Sequence, residues 1–306
     1  MDGILVAAKP AGPTSHDVVA LIRRLAATKR VGHGGTLDPF ASGVLPLFLG
    51  KATRLVEYHL ADRKAYRATV CFGASSATDD LEGQLTPSAG PAPDRATVES
   101  ALAGFTGEIS QRPPAYSAIK VGGRRAYAMA RAGEAVELAP RDVTIHRLDI
   151  LEWDGSDAER PIAVIDVECS AGTYVRSLAR DLGEAVGSAA YLGALVRTAS
   201  GPFTLAGAVS LDAARDAAAA GPAELAGLLL PIDAGLDDMP ELVVGPADAA
   251  ALTRGQFVKV ALEAPDVPTR IRDESGRLIA IGAMRNGRLA PEKVLIDPPA
   301  PAAADD

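Results

Sequence analysis

The sequence predicts an α+β protein in which a mixed, largely antiparallel sheet domain precedes a small, β-barrel-like C-terminal domain. Strand-like and helix-like segments interleave irregularly, without the regular βαβ spacing of a doubly wound fold. Short strands separated by turn residues follow residue 241, which is the pattern of hairpins. We therefore expect a first domain over residues 1–240, a second over residues 241–297, and a disordered Pro/Ala/Asp tail over residues 298–306.

Hydrophobic patterning predicts the elements of the first domain in order. Its N-terminal part should form a strand at 4–8, a helix capped by Thr14 or Ser15 that runs to about Ala26, an alternating strand at 65–72 and a helix at 94–103. Its second part should form strands at 143–151, 162–169 and 194–200, a helix at 174–186, and an Ala-rich helical stretch at about 211–230. A polar loop at 78–83 is expected to be mobile.

Four short strands are predicted for the second domain, at 257–262, 269–272, 277–281 and 293–296. The turn residues Asp273–Gly276 join the second of these strands to the third as a hairpin. Together the four strands predict a compact β unit.

Composition indicates a globular protein and excludes several kinds of site. Of the 306 residues, 48% are hydrophobic and 23% are charged, which is enough for a sizeable core. The two cysteines cannot form a disulfide framework and the four histidines lack metal-ligand spacing, so no metal or other cofactor is expected. Because no apolar run reaches about 18 residues and no signal pattern opens the chain, we expect a cytoplasmic protein without membrane contact.

The distribution of charge favours a polyanionic partner although the net charge is −8. Residues 21–33 and 109–133 contain several arginines and lysines but no acidic residue, whereas the acids concentrate in residues 205–242. Two basic stretches in an acidic protein indicate one side that faces phosphates. The prolines at 113 and 114 lead into the second stretch, and we interpret residues 109–140 as a projecting arm with Lys120, Arg124 and Arg125 as phosphate contacts.

Asp38 is the candidate catalytic residue. It lies in the segment Gly32–Leu45, where several glycines relax the backbone restrictions and Pro39 limits the conformation of the residue before it. The apolar run at 44–49 follows at once, so the carboxylate should lie at the rim of a core, where burial changes its reactivity. From this chemistry alone, an active-site loop and a plain tight turn are about equally compatible with the segment.

The string Gly-His-x-Gly-Thr-Leu-Asp-Pro-x-Ala-x-Gly-Val-Leu at 32–45 resembles the catalytic motif of the TruB-type tRNA pseudouridine synthases. Four further segments resemble that family's other motifs in the family's order, so the likeness extends from residue 3 to about residue 200. These segments are Lys9–Ser15, Lys64–Arg67, Pro113–Lys120 and Gly172–Arg176. Gly34 departs from the family, which usually has Thr or Ser there, and this puts the stiffness of the loop in doubt.

The resemblance implies isomerisation of a uridine to pseudouridine at position 55 of the tRNA T loop, without cofactor. It makes Asp38 the catalytic aspartate, Arg176 the arginine that keeps this carboxylate ionised, and Tyr66 the tyrosine that stacks on the uracil. An opposite charge within about 4–6 Å lowers a carboxylate pKa, and an aromatic ring stacks readily on an unstacked base. An exposed helix arginine and a core tyrosine are the alternatives from the residues alone.

The resemblance also implies an RNA-contacting set around the active site. His33 would fill the space left by flipped nucleotides, because the target base must leave its stack before it reacts. Leu195 would line the pocket, although a core leucine fits equally well. The C-terminal domain resembles a PUA-like RNA-binding domain more weakly, and a β cap without ligand is an equal alternative. The other motif residues on the RNA side are Lys9, Lys64 and Tyr174.

Two other functions remain open. A non-catalytic tRNA-binding or RNA-folding module would need His33, the arm and the C-terminal domain, but it would not need Asp38, Arg176 and Tyr66 together. A synthase acting on another RNA, such as a guide-directed relative, would share the chemistry. The absence of a long basic extension favours a stand-alone tRNA enzyme, which we expect to be a monomer without an obligate protein partner.

Overall fold

The computed structural model describes residues 1–117, 119–132, 134, 138–259 and 266–296. The strands in these residues are β1 (Gly3–Lys9), β2 (Val31–His33), β3 (Ser42–Leu49), β4 (Lys64–Phe72), β5 (Ala74–Ser76), β6 (Leu85–Pro87), β7 (Gly107–Gln111), β8 (Lys120–Val121), β9 (Arg124–Arg125), β10 (Arg141–Asp154), β11 (Ile162–Cys169), β12 (Ala190–Ser200), β13 (Phe203–Thr204), β14 (Val209–Ser210), β15 (Glu241–Val244), β16 (Thr269–Asp273), β17 (Leu278–Arg285) and β18 (Arg288–Val294). The α-helices are α1 (Ser15–Leu25), α2 (Arg95–Leu102), α3 (Ala126–Arg131), α4 (Val175–Ala185), α5 (Leu211–Ala220), α6 (Pro222–Ala226) and α7 (Pro246–Thr253). Short 3-10 helices span Gly50–His59, Ala103–Phe105 and Leu205–Gly207.

A large sheet organises the first part of the chain. Its strand order is β14-β1-β3-β12-β4-β11-β10-β7, with β2 added beside β3 and β13 beside β12. Most neighbouring strands are antiparallel, while β1 with β14 and β3 with β12 pair in parallel. The predicted mixed, largely antiparallel sheet is confirmed. Strands β3 and β12, which flank the candidate site, lie near its centre.

Strand β4 has the alternating burial that its sequence predicts. Tyr66, Ala68, Val70 and Phe72 are buried on one face, whereas Arg67 is exposed on the other. Helices α2 and α4 contribute side chains to the apolar cluster on the buried face. Burying one such aliphatic or aromatic side chain stabilises the fold by about 1.5–3 kcal/mol. This cluster also contains residues from the candidate active-site loop, so the main core supports the site directly.

Helix α1 covers the other part of the sheet, against β1 and β3. Thr14 is its N-cap: the Thr14 hydroxyl accepts from the Asp17 N–H, and the Asp17 carboxylate accepts from the Thr14 N–H. This reciprocal capping box satisfies two backbone donors that a helix start leaves open. Val18 and Ile22 are at most 1% exposed and face the sheet with α5. Of the two predicted caps, Thr14 is therefore the actual one.

The second part of the chain folds around a four-stranded sheet of order β15-β16-β17-β18, packed on α7. The predicted hairpin is present as β16 and β17. In the predicted strand at 257–262, Val258 forms an isolated bridge with Leu289, while residues 260–262 lie outside the described residues. The predicted tail at 298–306 also lies outside them.

The two parts of the chain share an apolar cluster. Leu55 and Leu236 from the first part pack with Leu278, Ile281 and Leu295 from the second. An ion pair of 3.0 Å between Lys293 and Glu57 lies across the same junction. The second sheet is therefore held against the first part by buried apolar surface as well as by charge.

Two predictions about loops and helices are corrected by the structure. The stretch at 211–230 is divided into α5 and α6 because Gly221, at φ +150°, and Pro222 interrupt it. The loop at 78–83, expected to be mobile, is packed: Asp80 is 3% exposed, and the Leu192 N–H donates to the Asp79 carbonyl at 3.0 Å. Within the described ranges no helix is long and apolar enough to cross a membrane.

Candidate active site

The loop between β2 and β3 that carries Asp38 is fastened to α1. The Leu37 N–H donates to the Ser15 hydroxyl at 2.9 Å, and the hydroxyl lies 3.0 Å from the Leu37 carbonyl, to which it donates. The Leu37 side chain is 3% exposed and belongs to the main core cluster. The residue immediately before Asp38 is therefore fixed by both its backbone and its side chain.

Lys9, at the end of β1, fastens the other side of the loop. Its ammonium is 1% exposed and donates to the carbonyls of Pro39 and Ala41 at 3.2 and 2.6 Å, as well as to the adjacent Pro10 carbonyl. Burial lowers the pKa of Lys9 to about 8, although the nearby Asp38 carboxylate opposes this change. Because the ammonium binds backbone on the protein side, the placement does not favour a direct contact with RNA, which stays a prediction.

Arg197 on β12 completes the support of the loop. It is 1% exposed and donates to the carbonyls of Val44 (2.8 Å), Thr36 (3.3 Å) and Gly35 (3.1 Å). Its backbone is so close to Gly43 (φ +111°) that a Cβ there would lie 2.2 Å from the Arg197 carbonyl oxygen. A glycine at 43 is thus required both by its positive φ and by the neighbouring strand.

Asp38 and Arg176 form an ion pair, as the family resemblance implied. Arg176 is the second residue of α4, and its Nε lies 3.0 Å from Asp38 Oδ2. The guanidinium is 5% exposed and the carboxylate 35% exposed. Although the Nε–H is not aligned for a hydrogen bond, the other nitrogens are held by donation to the carbonyls of Thr78 (3.1 Å) and Tyr116 (2.9 Å). The cation is therefore fixed, while one edge of the carboxylate faces open space.

A second carboxylate, Asp80, lies against the same guanidinium. Its Oδ2 is 3.4 Å from Arg176 Nη1, and its side chain is 4% exposed. Its other oxygen accepts hydrogen bonds from the Thr78 hydroxyl and from the Glu82 N–H. Asp80 is thus a buried member of the site, whereas Asp38 is the member that a substrate could reach.

The electrostatic surroundings of Asp38 have opposing effects. Burial raises the pKa of the Asp38 carboxyl above its ordinary value, Arg176 and Lys9 lower it, and the negative charge of Asp80 raises it further. The net direction is upward. A carboxylate with these properties is more basic and less strongly solvated than a surface aspartate, which suits general-base or nucleophilic work on a substrate.

Tyr66 and Leu195 belong to the apolar wall of the core that also contains Leu37 of the Asp38 loop, and Tyr66 lies near enough to the Asp38 carboxylate to be affected by its charge. They are 9% and 7% exposed and lie in one cluster with Leu37. Burial raises the pKa of the Tyr66 phenol, while the positive charge of Arg197 opposes the rise. A neutral phenol beside a carboxylate can bound a pocket for a flat, uncharged base.

Lys64 and Tyr174 are both engaged by neighbouring groups of the protein. The Lys64 ammonium is buried and donates to the Asp62 carbonyl at 2.9 Å, and burial lowers its pKa to about 8. The Tyr174 N–H donates to the Gln111 Oε1 at 2.8 Å, and the Gln111 Nε2 donates to the Tyr174 carbonyl at 3.1 Å. Arg141 lies 4.7 Å from the centroid of the Tyr174 ring. An RNA contact for either residue stays a prediction.

His33 lies at the end of β2, close to Asp38 in sequence. It is half-buried, its ring packs edge-on against His16 at 5.6 Å, and its Nδ1 accepts from the Gly35 N–H at 3.3 Å. It is therefore less free than its glycine neighbours suggested. Gly34, the departure from the family pattern, has a local reason, because a Cβ there would lie 3.1 Å from the Phe48 ring.

The predicted arm is described in part. Its short helix α3 contacts the active-site side through Tyr127, whose ring lies 6.0 Å from that of Tyr116. Arg124 is exposed and makes a two-pronged ion pair with Glu134, with distances of 2.9 and 2.7 Å. The acid that pairs with Arg124 thus lies just beyond the acid-free stretch. The side chains of Lys120 and Arg125 lie outside the described part of the structure.

Three family descriptions match consecutive parts of the chain. TruB family pseudouridylate synthase (N terminal domain) matches residues 23–175, tRNA pseudouridylate synthase B C-terminal domain matches residues 176–237, and Pseudouridine synthase II TruB, C-terminal matches residues 240–295. The chain belongs to the TruB family of pseudouridine synthases. The family resemblance inferred from the motifs is confirmed, and the protein is an isomerase of the pseudouridine synthase type.

Relatives within the TruB family match over nearly the whole chain. A protein of Bradyrhizobium diazoefficiens named tRNA pseudouridine synthase B is 46% identical over 299 residues, which cover 95% of this chain and 85% of that protein. A protein of the same name from Symbiobacterium thermophilum is 48% identical over 256 residues, covering 83% of this chain and 82% of that one. Among solved structures, a chain of a Cbf5-Nop10-Gar1 complex is similar with a TM-score of 0.72 and 27% identity, over 96% of this chain and 85% of that one.

Several residues of the TruB-type site were missed from the sequence. Asp80 was assigned to a mobile loop because its neighbours are turn residues, and Arg197 lies in a strand that was noted only for its apolar residues. For Ser15, the sequence indicates a cap and membership of the Lys9–Ser15 motif, but no contact with the Asp38 loop. A single sequence offers little signal for such residues, because each one contacts a group far away in the chain, either the Arg176 guanidinium or backbone groups of the Asp38 loop. Among the described residues, no cluster of histidines, cysteines and acids is placed to hold a metal ion.

Proposed function

We propose that this chain isomerises uridine 55 in the T loop of tRNA to pseudouridine, with Asp38 as the catalytic carboxylate. The observation that supports this most is the ion pair of Asp38 with Arg176, 3.0 Å apart, at the rim of an apolar wall formed by Tyr66 and Leu195. A binding module would have no need to hold a carboxylate of raised pKa against a buried cation.

The reaction requires no cofactor because it exchanges one glycosidic bond for another without net oxidation or reduction. The N1–C1′ bond of the uridine breaks, the uracil turns in the pocket, and a C5–C1′ bond forms while the proton on C5 is lost and N1 regains one. Asp38 would act at the sugar, as attacking group at C1′ or as base at C2′. Tyr66 and Leu195 would keep the detached base in place, since their apolar wall offers it no exit to solvent.

The proposed contacts with the rest of the RNA lie on surfaces outside this pocket. Base flipping requires a group that fills the vacated stack, and His33 is the side chain beside the loop that is half-exposed and rigidly oriented by Gly35 and His16. The arm would contact phosphates through Arg124, Arg125 and Lys120. The domain at 241–297 would add PUA-like RNA contacts.

We further propose that the protein acts on tRNA as a monomer without an obligate protein partner. Lys293 with Glu57 and the shared apolar cluster already cover the junction between the two sheets within one chain. Light scattering of the pure protein, alone and with unmodified tRNA, should give one protein per tRNA. A dimer, or activity only after addition of a second protein, would contradict this proposal.

The decisive experiment measures tritium release from tRNA labelled at C5 of its uridines, with wild type and Asp38→Asn at matched concentration. Asn has nearly the shape of Asp but is a poor nucleophile and base, so we expect release to fall by more than about 1,000-fold while tRNA affinity remains. A tRNA with cytidine at position 55 serves as the substrate control, and wild type should release no label from it.

Three outcomes would contradict the proposal in different ways. Binding of tRNA by the wild type without release would indicate the binding or folding module. Release that persists when position 55 is cytidine would indicate another site or another RNA. Release by Asp38→Asn at the wild-type rate would show that a different group performs the chemistry.

A further inference from the structure

Arg180, one helical turn beyond Arg176 on α4, joins two segments of the active site. Its Nη1 lies 2.7 Å from Asp79 Oδ2, and its Nη2 donates to the Arg112 carbonyl at 2.9 Å. Its Nε donates to the neighbouring Asp181 at 2.9 Å. These contacts engage all of the polar edges of the Arg180 guanidinium, although its side chain is 22% exposed and lies near the surface.

Asp79 is held in a conformation that needs support. Its φ is +61°, a left-handed value that few residues other than glycine adopt, and its side chain is 16% exposed. Burial raises the pKa of the Asp79 carboxyl, and Arg180 opposes this rise. Such backbone strain persists only where neighbouring groups hold it. Here the Ser76 carbonyl and the Leu192 N–H hold the Asp79 backbone through hydrogen bonds of 3.1 and 3.0 Å, and the ion pair with Arg180 holds its side chain.

The two segments that Arg180 joins are those that hold Arg176. The Thr78 carbonyl, adjacent to Asp79, and the Tyr116 carbonyl, four residues after Arg112, are the acceptors of the Arg176 guanidinium. Ser177 adds a hydrogen bond of 2.8 Å to the Arg112 carbonyl. The position of Arg176 against Asp38 therefore depends on both segments, in addition to the ion pair with Asp80.

We propose that Arg180 is a positioning residue for the reaction, which sets the Arg176 guanidinium against Asp38 by fastening Asp79 and the Arg112 carbonyl to α4. This inference rests on the proposed role of the Asp38–Arg176 pair. Arg180 itself would touch neither substrate nor Asp38. Its loss should therefore affect the chemical step more than tRNA binding.

The first test compares Arg180→Met and Arg180→Lys with wild type in single-turnover tritium release, together with tRNA affinity. A displacement of about 1 Å at a reacting group can cost on the order of 100-fold in rate. We expect the Met variant to lose about 10- to 100-fold in the rate of the chemical step, with tRNA affinity changed by less than about twofold. Lys can pair with Asp79 but cannot also reach the Arg112 carbonyl, so it should restore the rate only in part.

A pH profile separates positioning from a purely structural role. Asp38 is faced by Arg176, Asp80 and Lys9, and of these Arg176 is the group that opposes the effect of burial most. If the guanidinium moves away, Asp38 needs a higher pH to ionise. The acidic limb of activity should therefore move to higher pH in Arg180→Met. A variant that was merely less stable would lose folded protein without moving this limb.

Asp79→Asn provides a second variant that does not depend on the folding of Arg180→Met. Asn tolerates left-handed backbone and removes only the charge, so it should fold and lose about 3- to 10-fold in the chemical step. The double variant should be no slower than Arg180→Met alone, because both changes break one connection. Arg215→Met is the matched control, since this exposed helix arginine pairs only with its neighbour Asp212 within the described part of the chain, and it should behave as wild type.

An unchanged rate per folded molecule in both Arg180→Met and Asp79→Asn would overturn this inference, whatever happened to their thermal stability. Multiplicative losses in the double variant would also overturn it, because the two residues would then act independently. If the wild type itself released no tritium, the proposed function would fail, and the inference with it. Wild-type release with unaffected variants would overturn the inference alone.

Discussion

The arm and the loop that carries Asp38 have charged groups that are held in opposite ways. Around the loop at 32–45, Lys9 from β1 and Arg197 from β12 are at most 1% exposed and donate to backbone carbonyls near Asp38. In the arm, Arg124 is 58% exposed and pairs with a single glutamate. The first arrangement fixes the backbone of the Asp38 loop, whereas the second allows Arg124 to exchange Glu134 for another anion.

The difference follows from what each region must do. A group that performs chemistry has to be placed within fractions of an ångström, which requires buried and fully bonded neighbours. A group that contacts phosphate gains from being exposed, because exchanging one anion for another costs little in water. Changes in the loop should therefore affect stability and rate, and changes in the arm should affect binding and its salt dependence.

Arg197→Met is expected to have the largest effect. The Met side chain fills similar space but leaves the carbonyls of Gly35, Thr36 and Val44 without their buried donor, and each buried unpaired acceptor costs about 1–3 kcal/mol. We expect the free energy of unfolding to fall by about 3 kcal/mol or more, measured by urea denaturation. The folded fraction should also lose most of its tritium release.

Arg215→Met is the control for this change, since surface substitutions usually alter stability by less than about 0.5 kcal/mol. Arg197→Lys should recover little, because a single ammonium cannot reach three carbonyls from one position. A folded Arg197→Met variant with wild-type stability and rate would show that the loop holds its shape without this residue, and the contrast with the arm would then fail.

Much of this fold could be predicted from the sequence because its signals are local. The alternation in β4 and the cap before α1 depend on neighbouring residues only, and both were predicted close to their actual bounds. The division between α5 and α6 was missed although Gly221 and Pro222 are local signals, because the alanine-rich composition on both sides favours helix. Helix α7 was missed for a related reason, since its short apolar stretch has no clear periodicity.

The site was predictable only where a motif identified it. Asp38, Tyr66 and Arg176 come from distant segments, and nothing local relates them; the family resemblance placed them in one site, and the structure does bring them together. Asp80 and Arg197 act through long-range contacts to a guanidinium and to carbonyls, and such contacts leave no pattern in a single sequence. The structure shows that Lys9 and Lys64 both donate to backbone carbonyls, which their motifs did not indicate, and the predicted RNA contacts of these residues stay predictions.

Asp80→Asn should sharpen the account of the loop through the pH profile. Removing its negative charge removes one influence that raises the pKa of Asp38, so Asp38 should ionise at lower pH. We expect the acidic limb of single-turnover tritium release to move to lower pH, while the maximal rate falls by about 10-fold because a less basic Asp38 is a weaker base or nucleophile. An acidic limb that stays in place would show that Asp80 does not act on Asp38 through its charge.

His33→Ala lies between the two regions, since His33 is half-buried at the edge of the loop. Burial lowers the pKa of His33, with His16 and Arg197 adding to the effect, so the ring is neutral at pH 7 and its role should be steric. We expect about a 10-fold slower reaction on folded tRNA and about a twofold effect on a T-stem-loop with a destabilised loop, whose base is easier to flip. Equal effects on both substrates would make His33 a structural residue of the loop.

The smallest effects should come from the arm, where Arg124 and Glu134 allow a test in both directions. Arg124→Ala together with Arg125→Ala should weaken tRNA binding and reduce the salt slope of the association constant by about 1 for each phosphate that the protein no longer neutralises. Glu134→Gln releases Arg124 from its two-pronged pair, so it should strengthen binding by a few-fold at low salt and lose this advantage as salt rises.

Arg95→Ala is the control, because Arg95 is equally exposed and pairs with Glu99 on α2, away from the arm. Fluorescence anisotropy with labelled, unmodified tRNA over a salt series measures all four proteins. If Glu134→Gln binds as wild type while the double alanine variant binds more weakly, the ion pair does not compete with RNA; if neither change alters affinity or slope, the arm contributes no phosphate contact through these residues.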